Sequence, residues 1–384
     1  MSAAEDAALA PGVDTPDQAA LRDSVRSLLD KRAGSEDMRA ATRTEHGYDE
    51  SLWSALAGQI GASALGIPEA YDGAGASYLE THLVADELGR SLAPSPLLGS
   101  AILAGYALLA SGDEAACAEH LPHVASGVIY GLCWSGEEGW HAPGVAFDGA
   151  ALSGTAHYVL GGDYASTLIV VASDADGLPT LHACPADAEG VGITRVPVMD
   201  PTRTLATVRF DGVRATQLGM REETMSLLNA VAWAAVSAEA AGAAKALVER
   251  TVDYTSQRKQ FGREIGGFQA LKHRMADMYV RSETARSLSY SAAAAVARAF
   301  EIGGSNAAHA AACDAEIEAA AAKVYATRSL SWIAGEAIQL HGGVGITWEY
   351  DVHLFFKRAH GLATLFGQPH ELAEALEPAA GLRP

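Results

Sequence analysis

Paired cysteines, long apolar runs and positive charge are what this chain lacks. Its four cysteines, Cys117, Cys133, Cys184 and Cys313, stand far apart with no C-x-x-C pair. That argues against a disulfide scaffold and against a zinc site, so no metal is expected. No stretch approaches 18 strictly apolar residues without glycine or charge, so no transmembrane span is expected. The N-terminus is polar and Ala/Asp-rich. Without a basic segment followed by an apolar one, it does not read as a signal peptide. These absences point to a cytoplasmic protein. Basic residues are scarce, with 27 Lys and Arg against 47 Asp and Glu and a formal net charge of −20. Nucleic acid is disfavoured as a partner because phosphate binding needs clustered cations. An anionic membrane surface is disfavoured for the same reason. An anionic small molecule stays compatible, since a local pocket can oppose the global field.

The length, 384 residues, is too great for one ordinary core, so two or three domains are expected. Residues 1–16 read as a disordered tail. From 17 to 125 the apolar spacing is helical. Examples are Leu21, Val25, Leu28 and Leu29, then Leu52, Trp53, Leu56 and Ile60. The run Leu97 to Ala110 is apolar all round and predicts a buried helix. From 126 to 221 short β-prone runs alternate with turn signals such as Asp148-Gly149 and Asp176-Gly177. That texture predicts a small antiparallel β-barrel or sandwich. From 222 to 384 the chain is helical again. Three long Ala-rich stretches and a shorter last one predict a four-helix bundle. The fold class is α+β: an all-helical N-terminal domain, a central β domain and a C-terminal bundle.

Two segments of the bundle carry chemistry. The first is Arg258-Lys-Gln-Phe-Gly262, at the end of a long helix. A cation there is favourable with the helix dipole and needs no other explanation. The functional reading is that Arg258 makes charge-assisted bonds to a diphosphate while Phe261 walls the site. Phe268-Gln269 opens the next helix, and its amide serves a ligand or a cap. The second segment is Gln339-Leu-His-Gly-Gly343, where adjacent glycines follow an apolar helix. The bland reading is a helix end of the Schellman type. The functional reading is backbone and side-chain amides presented to a nucleotide.

Together, in this order, these segments resemble the acyl-CoA dehydrogenase family over nearly the whole chain. The resembling pieces are Leu65-Gly-Ile-Pro-Glu-Ala-Tyr71, Glu87-Leu-Gly-Arg90, Arg258-Lys-Gln-Phe-Gly-Arg-Glu-Ile265, Phe268-Gln269 and Gln339-Leu-His-Gly-Gly-Val-Gly-Ile-Thr347. The helical, β, helical layout matches too. The resemblance implies an FAD flavoprotein oxidising acyl-CoA thioesters in lipid metabolism. A carboxylate removes the α proton while the β hydrogen leaves as hydride to the flavin. It implies a dimer or tetramer and an electron-transfer flavoprotein or similar acceptor. In this family the β domain of one subunit holds the flavin ring, and the bundle of its neighbour holds the diphosphate and adenosine. The bundle-side contacts would be Arg258, Gln260, Phe261, Phe268, Gln269, Gln339, Leu340, His341, Gly342 and Gly343.

The sequence also departs from the family. Many members carry a catalytic Glu-Gly-Thr, and the matching stretch here is Gly367-Gln368-Pro369. A second subgroup places its base on the first bundle helix, at the position of Ala232. The usual hydroxyl-bearing run of the β domain reads Cys133-Trp-Ser-Gly-Glu-Glu-Gly-Trp140, with Ser135 the one candidate stand-in. The family's Trp-x-Thr reads Tyr158-Val159-Leu160. Glu239 and Glu371 are the nearest candidate replacements for the base, so the catalytic residue is left unassigned. The pattern fits one subunit of an assembly with an unlike, base-carrying partner. The alternative is a non-catalytic structural or regulatory subunit that completes the partner's FAD site. Small residues such as Ala230 and Ala234 suggest room for a bulky or branched acyl group.

Overall fold

The computed structural model describes residues 14–302 and 306–377. Residues 1–13 of the expected tail lie outside that range. Its last three residues are ordered, which corrects that part of the expectation. Thr15 and Gln18 form a reciprocal capping box at the start of α1 (Pro16–Arg32), with Pro16 in the first turn. Asp14 pairs with Arg22 at 2.7 Å.

The N-terminal helical part continues with α2 (Ser35–Ala41) and α3 (Glu50–Ala55), which runs on through a wide π-type turn over Leu56–Ile60. Then come α4 (Tyr78–Ser91), a second π-type stretch over Leu98–Ala104, α5 (Gly105–Ser111) and α6 (Glu114–Ala125). The apolar run from Leu97 is buried, as its composition requires.

One eight-stranded sheet follows: β1 (Tyr130–Cys133), β2 (Val145–Phe147), β3 (Leu152–Leu160), β4 (Thr167–Ser173), β5 (Pro179–Pro185), β6 (Val191–Val196), β7 (Leu205–Val213) and β8 (Thr216–Leu218). The spatial order is β6-β7-β3-β2-β4-β5-β8, with β1 also paired to β4. Most pairings are antiparallel, but β1 and β2 run parallel to β4. The β3–β7 register shifts between Ala156 and Val159, where Tyr158 adopts φ +57°.

The bundle consists of α7 (Thr224–Gln257), α8 (Gln269–Glu301), α9 (Asn306–His341) and α10 (Val352–Thr364), followed by a short α11 (Pro369–Leu376). A two-strand hairpin, β9 (Lys259–Gln260) with β10 (Arg263–Glu264), links α7 to α8. Alanines on α7, among them Ala230, Ala232, Ala234 and Ala235, are fully buried. They let the helices approach closely, as thin helices do. Among the described residues α7 alone is long and apolar enough to cross a membrane, and 89% of its most apolar window is buried inside the fold.

Candidate functional site

Two reversals of direction bring the C-termini of α7 and α9 to the same end of the bundle. The rings of Tyr254 and His341 stack there with centroids 4.3 Å apart, and the Tyr254 hydroxyl donates to the His341 carbonyl at 3.2 Å. Burial holds His341 below the ordinary imidazole range, and its Nδ1 bonds the Ala337 carbonyl. Arg258 leaves α7 in extended conformation with an exposed side chain. Its guanidinium has no ion pair or hydrogen bond among the described residues. Phe261, at the hairpin tip with φ +52°, is 92% exposed. Phe268 receives Arg263 over its face at 3.9 Å and meets Phe261 edge-on at 6.2 Å. Gln260, Gln269 and Gln339 are exposed. Gly342 has φ +65°, and no atom lies within 4 Å of where a side chain would begin at Gly342 or Gly343. Leu340 and His341 are buried. The two segments singled out in the sequence are therefore joined through Tyr254 and His341 at one end of the bundle, with the exposed Gln269 and Gln339 amides and, among the described residues, an unpaired Arg258, while the Gln260 amide donates to the Lys259 carbonyl.

A second region lies at the junction of sheet and bundle. Gly367 follows Phe366 in the turn between α10 and α11, with φ +101° and +57° respectively. Lys323 of α9 is fully buried beneath this turn and donates to the carbonyls of Ala363 and Gly367. Burial pushes its ammonium down to about 7, and the carboxylate of Glu371 partly opposes the shift. The Trp233 indole donates to the Phe366 carbonyl at 2.8 Å. Phe366 packs against Trp140 at 4.5 Å and against Trp134 at 5.9 Å. Trp140 in turn meets Tyr158 at 5.9 Å.

This aromatic wall separates two clefts of about 500 Å³ each. One lies between Tyr158, the Val198–Arg203 segment and α10. The other lies between the first turns of α7, Ser173, Pro179 and α11. Trp140, His141, Gly367 and Glu371 line both. None of the small α7 residues expected to make room lines either cleft. Ser135 is buried and its hydroxyl donates to the His157 carbonyl at 2.6 Å. The Tyr158 hydroxyl donates to the Glu137 carbonyl. Both hydroxyls are thus committed to backbone, and the Ser135 stand-in is not free to serve a ligand.

Glu239 lies in a buried charge cluster. It pairs with Arg203 and with Arg358 at 3.5 Å, while Arg358 Nε donates to Asp200 at 2.6 Å. Arg358 also donates to the hydroxyl of Thr202. Burial alone would raise the Asp200 carboxyl, but Arg358, Thr202 and Arg203 bring it below its ordinary range. Glu239 is therefore a structural carboxylate joining sheet and bundle. Sequence reasoning missed this cluster, the Lys323 clamp and the aromatic wall, whose members lie far apart in the chain and share no local pattern.

Comparison with known proteins extends these observations. Residues 224–370 match a family model described as acyl-CoA dehydrogenase, C-terminal domain, and residues 15–128 match acyl-CoA dehydrogenase, N-terminal domain. The protein named acyl-CoA dehydrogenase IpdE2 from Mycobacterium tuberculosis is 41% identical over 359 residues, 93% of this chain and 95% of that protein. Its namesake from Mycolicibacterium smegmatis is 38% identical over 360 residues, 93% of this chain and 96% of that protein. The solved ChsE4-ChsE5 complex from Mycobacterium tuberculosis superposes with a TM-score of 0.86 at 25% identity, covering 97% of this chain and 99% of that one. A variant of the Tcur3481-Tcur3483 steroid ACAD superposes with a TM-score of 0.83 at 28% identity, covering 95% and 98%.

Proposed function

Because this chain belongs to the acyl-CoA dehydrogenase family, FAD-dependent oxidoreductases acting on CH–CH bonds, we propose that it serves α,β-dehydrogenation of an acyl-CoA thioester as one subunit of an assembly with an unlike, base-carrying partner. The observation that carries the reading is a contrast between its two surfaces. The bundle end offers Arg258, without a partner among the described residues, and exposed Gln339, Gly342 and Gly343. A free guanidinium and free amides are what a diphosphate needs. The junction offers no free hydroxyl at Ser135 or Tyr158 and no side chain at Gly367. The bundle end fits the nucleotide half of FAD, and the junction fits the flavin ring poorly.

In this reading Arg258, Gln260, Phe261, Phe268, Gln269 and the Gln339–Gly343 turn hold the nucleotide end of an FAD whose ring sits in the partner. Arg258 neutralises the diphosphate, and the glycines let backbone approach it closely. The bound flavin supplies a two-electron acceptor for the substrate hydride. An electron-transfer flavoprotein or similar acceptor would be the partner that reoxidises it. Assembly with an unlike chain is supported by the ChsE4-ChsE5 neighbour, which is a complex of two named chains. A bulky, ring-bearing acyl group is supported by the neighbour named a steroid ACAD. The compartment we assign is the cytoplasm.

A second reading is favoured by Gly367 alone: a purely structural subunit that completes the partner's cofactor site. Co-expression with the chain encoded beside it, followed by gel filtration, mass spectrometry and flavin absorbance, tests the proposal. The expected result is a mixed assembly whose FAD is bound only when both chains are present. A homomeric, fully FAD-loaded and active preparation of this chain alone overturns it.

A further inference from the structure

We propose that the outward face of α8 and α9 is the seat of the unlike partner, and that its positive charge turns away a second copy of this chain. The inference rests on the assembly reading and names the partner by its chemistry, a surface with an apolar centre and a carboxylate rim. Two outward stripes make the face. On α8, Gln269, His273, Ala276 and Val280 are exposed and recur four, three and four residues apart, so they lie along one side of the helix. On α9, Gln339, Arg328 and Ala321 are exposed at spacings of eleven and seven residues, again on one side. Gly335 lies between the first two, and no atom stands within 4 Å of where its side chain would begin. The two helices run side by side, since Arg274 of α8 pairs with Glu336 of α9 and the Arg281 guanidinium sits 4.5 Å over the Trp332 ring. Each stripe starts at a residue of the proposed nucleotide site, Gln269 or Gln339, so the face continues from the place where the partner's FAD would enter.

Large apolar side chains stand open on α8, with Tyr279 58% and Val280 61% exposed. An open apolar patch rimmed by charge marks a contact surface. The charge of this region is opposite to that of the chain. Residues 258–286 carry seven Lys and Arg against three Asp and Glu, in a chain where acidic residues outnumber basic ones 47 to 27. Three of these cations are neutralised within the chain, Lys259 by Glu264, Arg274 by Glu336 and Arg286 by Glu283. Arg258 is assigned to the diphosphate. Arg263, Lys272 and Arg281 remain exposed, joined by Arg328 of α9, and none has an ion pair among the described residues. Asp277 is the one exposed carboxylate of this stretch without an ion pair among the described residues.

This pattern discriminates between occupants. A contact between two copies about a twofold axis sets a face against itself. Here it would bring the four unneutralised cations of each copy within a Debye length, about 8–10 Å, with one carboxylate on each side to offset them. Like charges brought together reject a partner, whereas a complementary acidic surface is steered in and held. The net charge of −20 adds repulsion between copies at longer range. The face therefore selects an unlike chain that presents carboxylates around an apolar centre.

The test measures assembly of the purified full chain with the chain encoded beside it, by sedimentation velocity with FAD present. Runs at about 0.05 M and about 0.5 M NaCl compare weak with strong screening. Wild type is set against Lys272→Glu/Arg281→Glu and against Val280→Asp. All three positions are exposed, so thermal midpoints are expected to match. The wild-type mixed assembly is expected to weaken as salt rises. The charge-reversed variant is expected to assemble about 10-fold or more weakly at low salt and to lose the salt dependence. Val280→Asp is expected to weaken assembly at both salt concentrations. A mixed assembly indifferent to salt and to both variants overturns the proposal. So does a homodimer of the wild-type chain that Val280→Asp dissociates, because the occupant is then a second copy. Absence of any mixed assembly in the wild type is the separate failure of the assembly reading, and it takes this proposal with it.

Discussion

The ammonium of Lys323, buried in α9, donates a hydrogen bond to the carbonyl of Gly367. The turn that lacks a side chain at its centre is thereby clamped from beneath by a charge that water does not reach. Burial holds that charge at about 7 in the folded chain, while an unfolded lysine titrates near 10.4. Between these values the unfolded chain binds more protons than the folded one, so stability rises with pH across that window and falls as pH drops towards 7. Denaturant midpoints at about pH 7.5 and about pH 9.5 are expected to show this rise. Lys323→Met, which removes the titrating group, is expected to give a flatter profile.

Restoring a carboxylate at 367 is expected to destabilise the chain. Gly367 sits at φ +101°, a region that costs a side-chain-bearing residue ~1–3 kcal/mol. The new side chain would start 3.6 Å from Leu372 and 4.0 Å from the Glu371 oxygen, adding like-charge repulsion. Gly367→Glu should lower the urea midpoint without changing the slope of the transition.

Glu239 binds sheet to bundle through Arg203 and Arg358. Glu239→Ala would leave two buried guanidinium groups with one carboxylate, Asp200. Removing one partner of a buried charge network costs ~3–5 kcal/mol. Calorimetry should show a large fall in melting temperature. A stable Glu239→Ala protein would show that the cluster does not join the two parts.

Arg258→Ala should spare the apo fold, because an exposed residue with no partner among the described residues changes stability by no more than ~0.5 kcal/mol. In the mixed assembly it should weaken FAD retention. A hydrogen bond to a charged group contributes ~1.5–3 kcal/mol, or about 10–100-fold in affinity. Flavin absorbance per assembly after dialysis reads this directly. Full FAD retention would move the nucleotide contact elsewhere.

Several elements were legible because their signals are local. The helical spacing from Leu21, the buried run after Leu97 and the Ala-rich periodicity of α7 to α9 each lie within a few turns of chain, whereas the Thr15–Gln18 capping box was read as part of the tail. The ten candidate contacts fall into two short segments, which the family resemblance, not any local signal, put together. Parallel pairing of β1 and β2 with β4 was not legible, since strand direction depends on connections rather than on alternation. The room expected beside the α7 alanines was absent for a related reason. A small side chain opens space only if no neighbouring helix moves in to fill it.

The sequence by itself determined the class of fold, the helical and β segments, and the two short segments at the bundle end that we propose face a nucleotide. It also determined that no side chain could stand at 367. Tertiary structure alone decided what each ionisable group does. Asp200 meets Arg358 across 158 residues, and Lys323 meets Gly367 across 44. Glu239 is tied into a buried network. A carboxylate's role is set by its desolvation and by its neighbours in space, and those neighbours arrive from distant parts of the chain only when the domains pack.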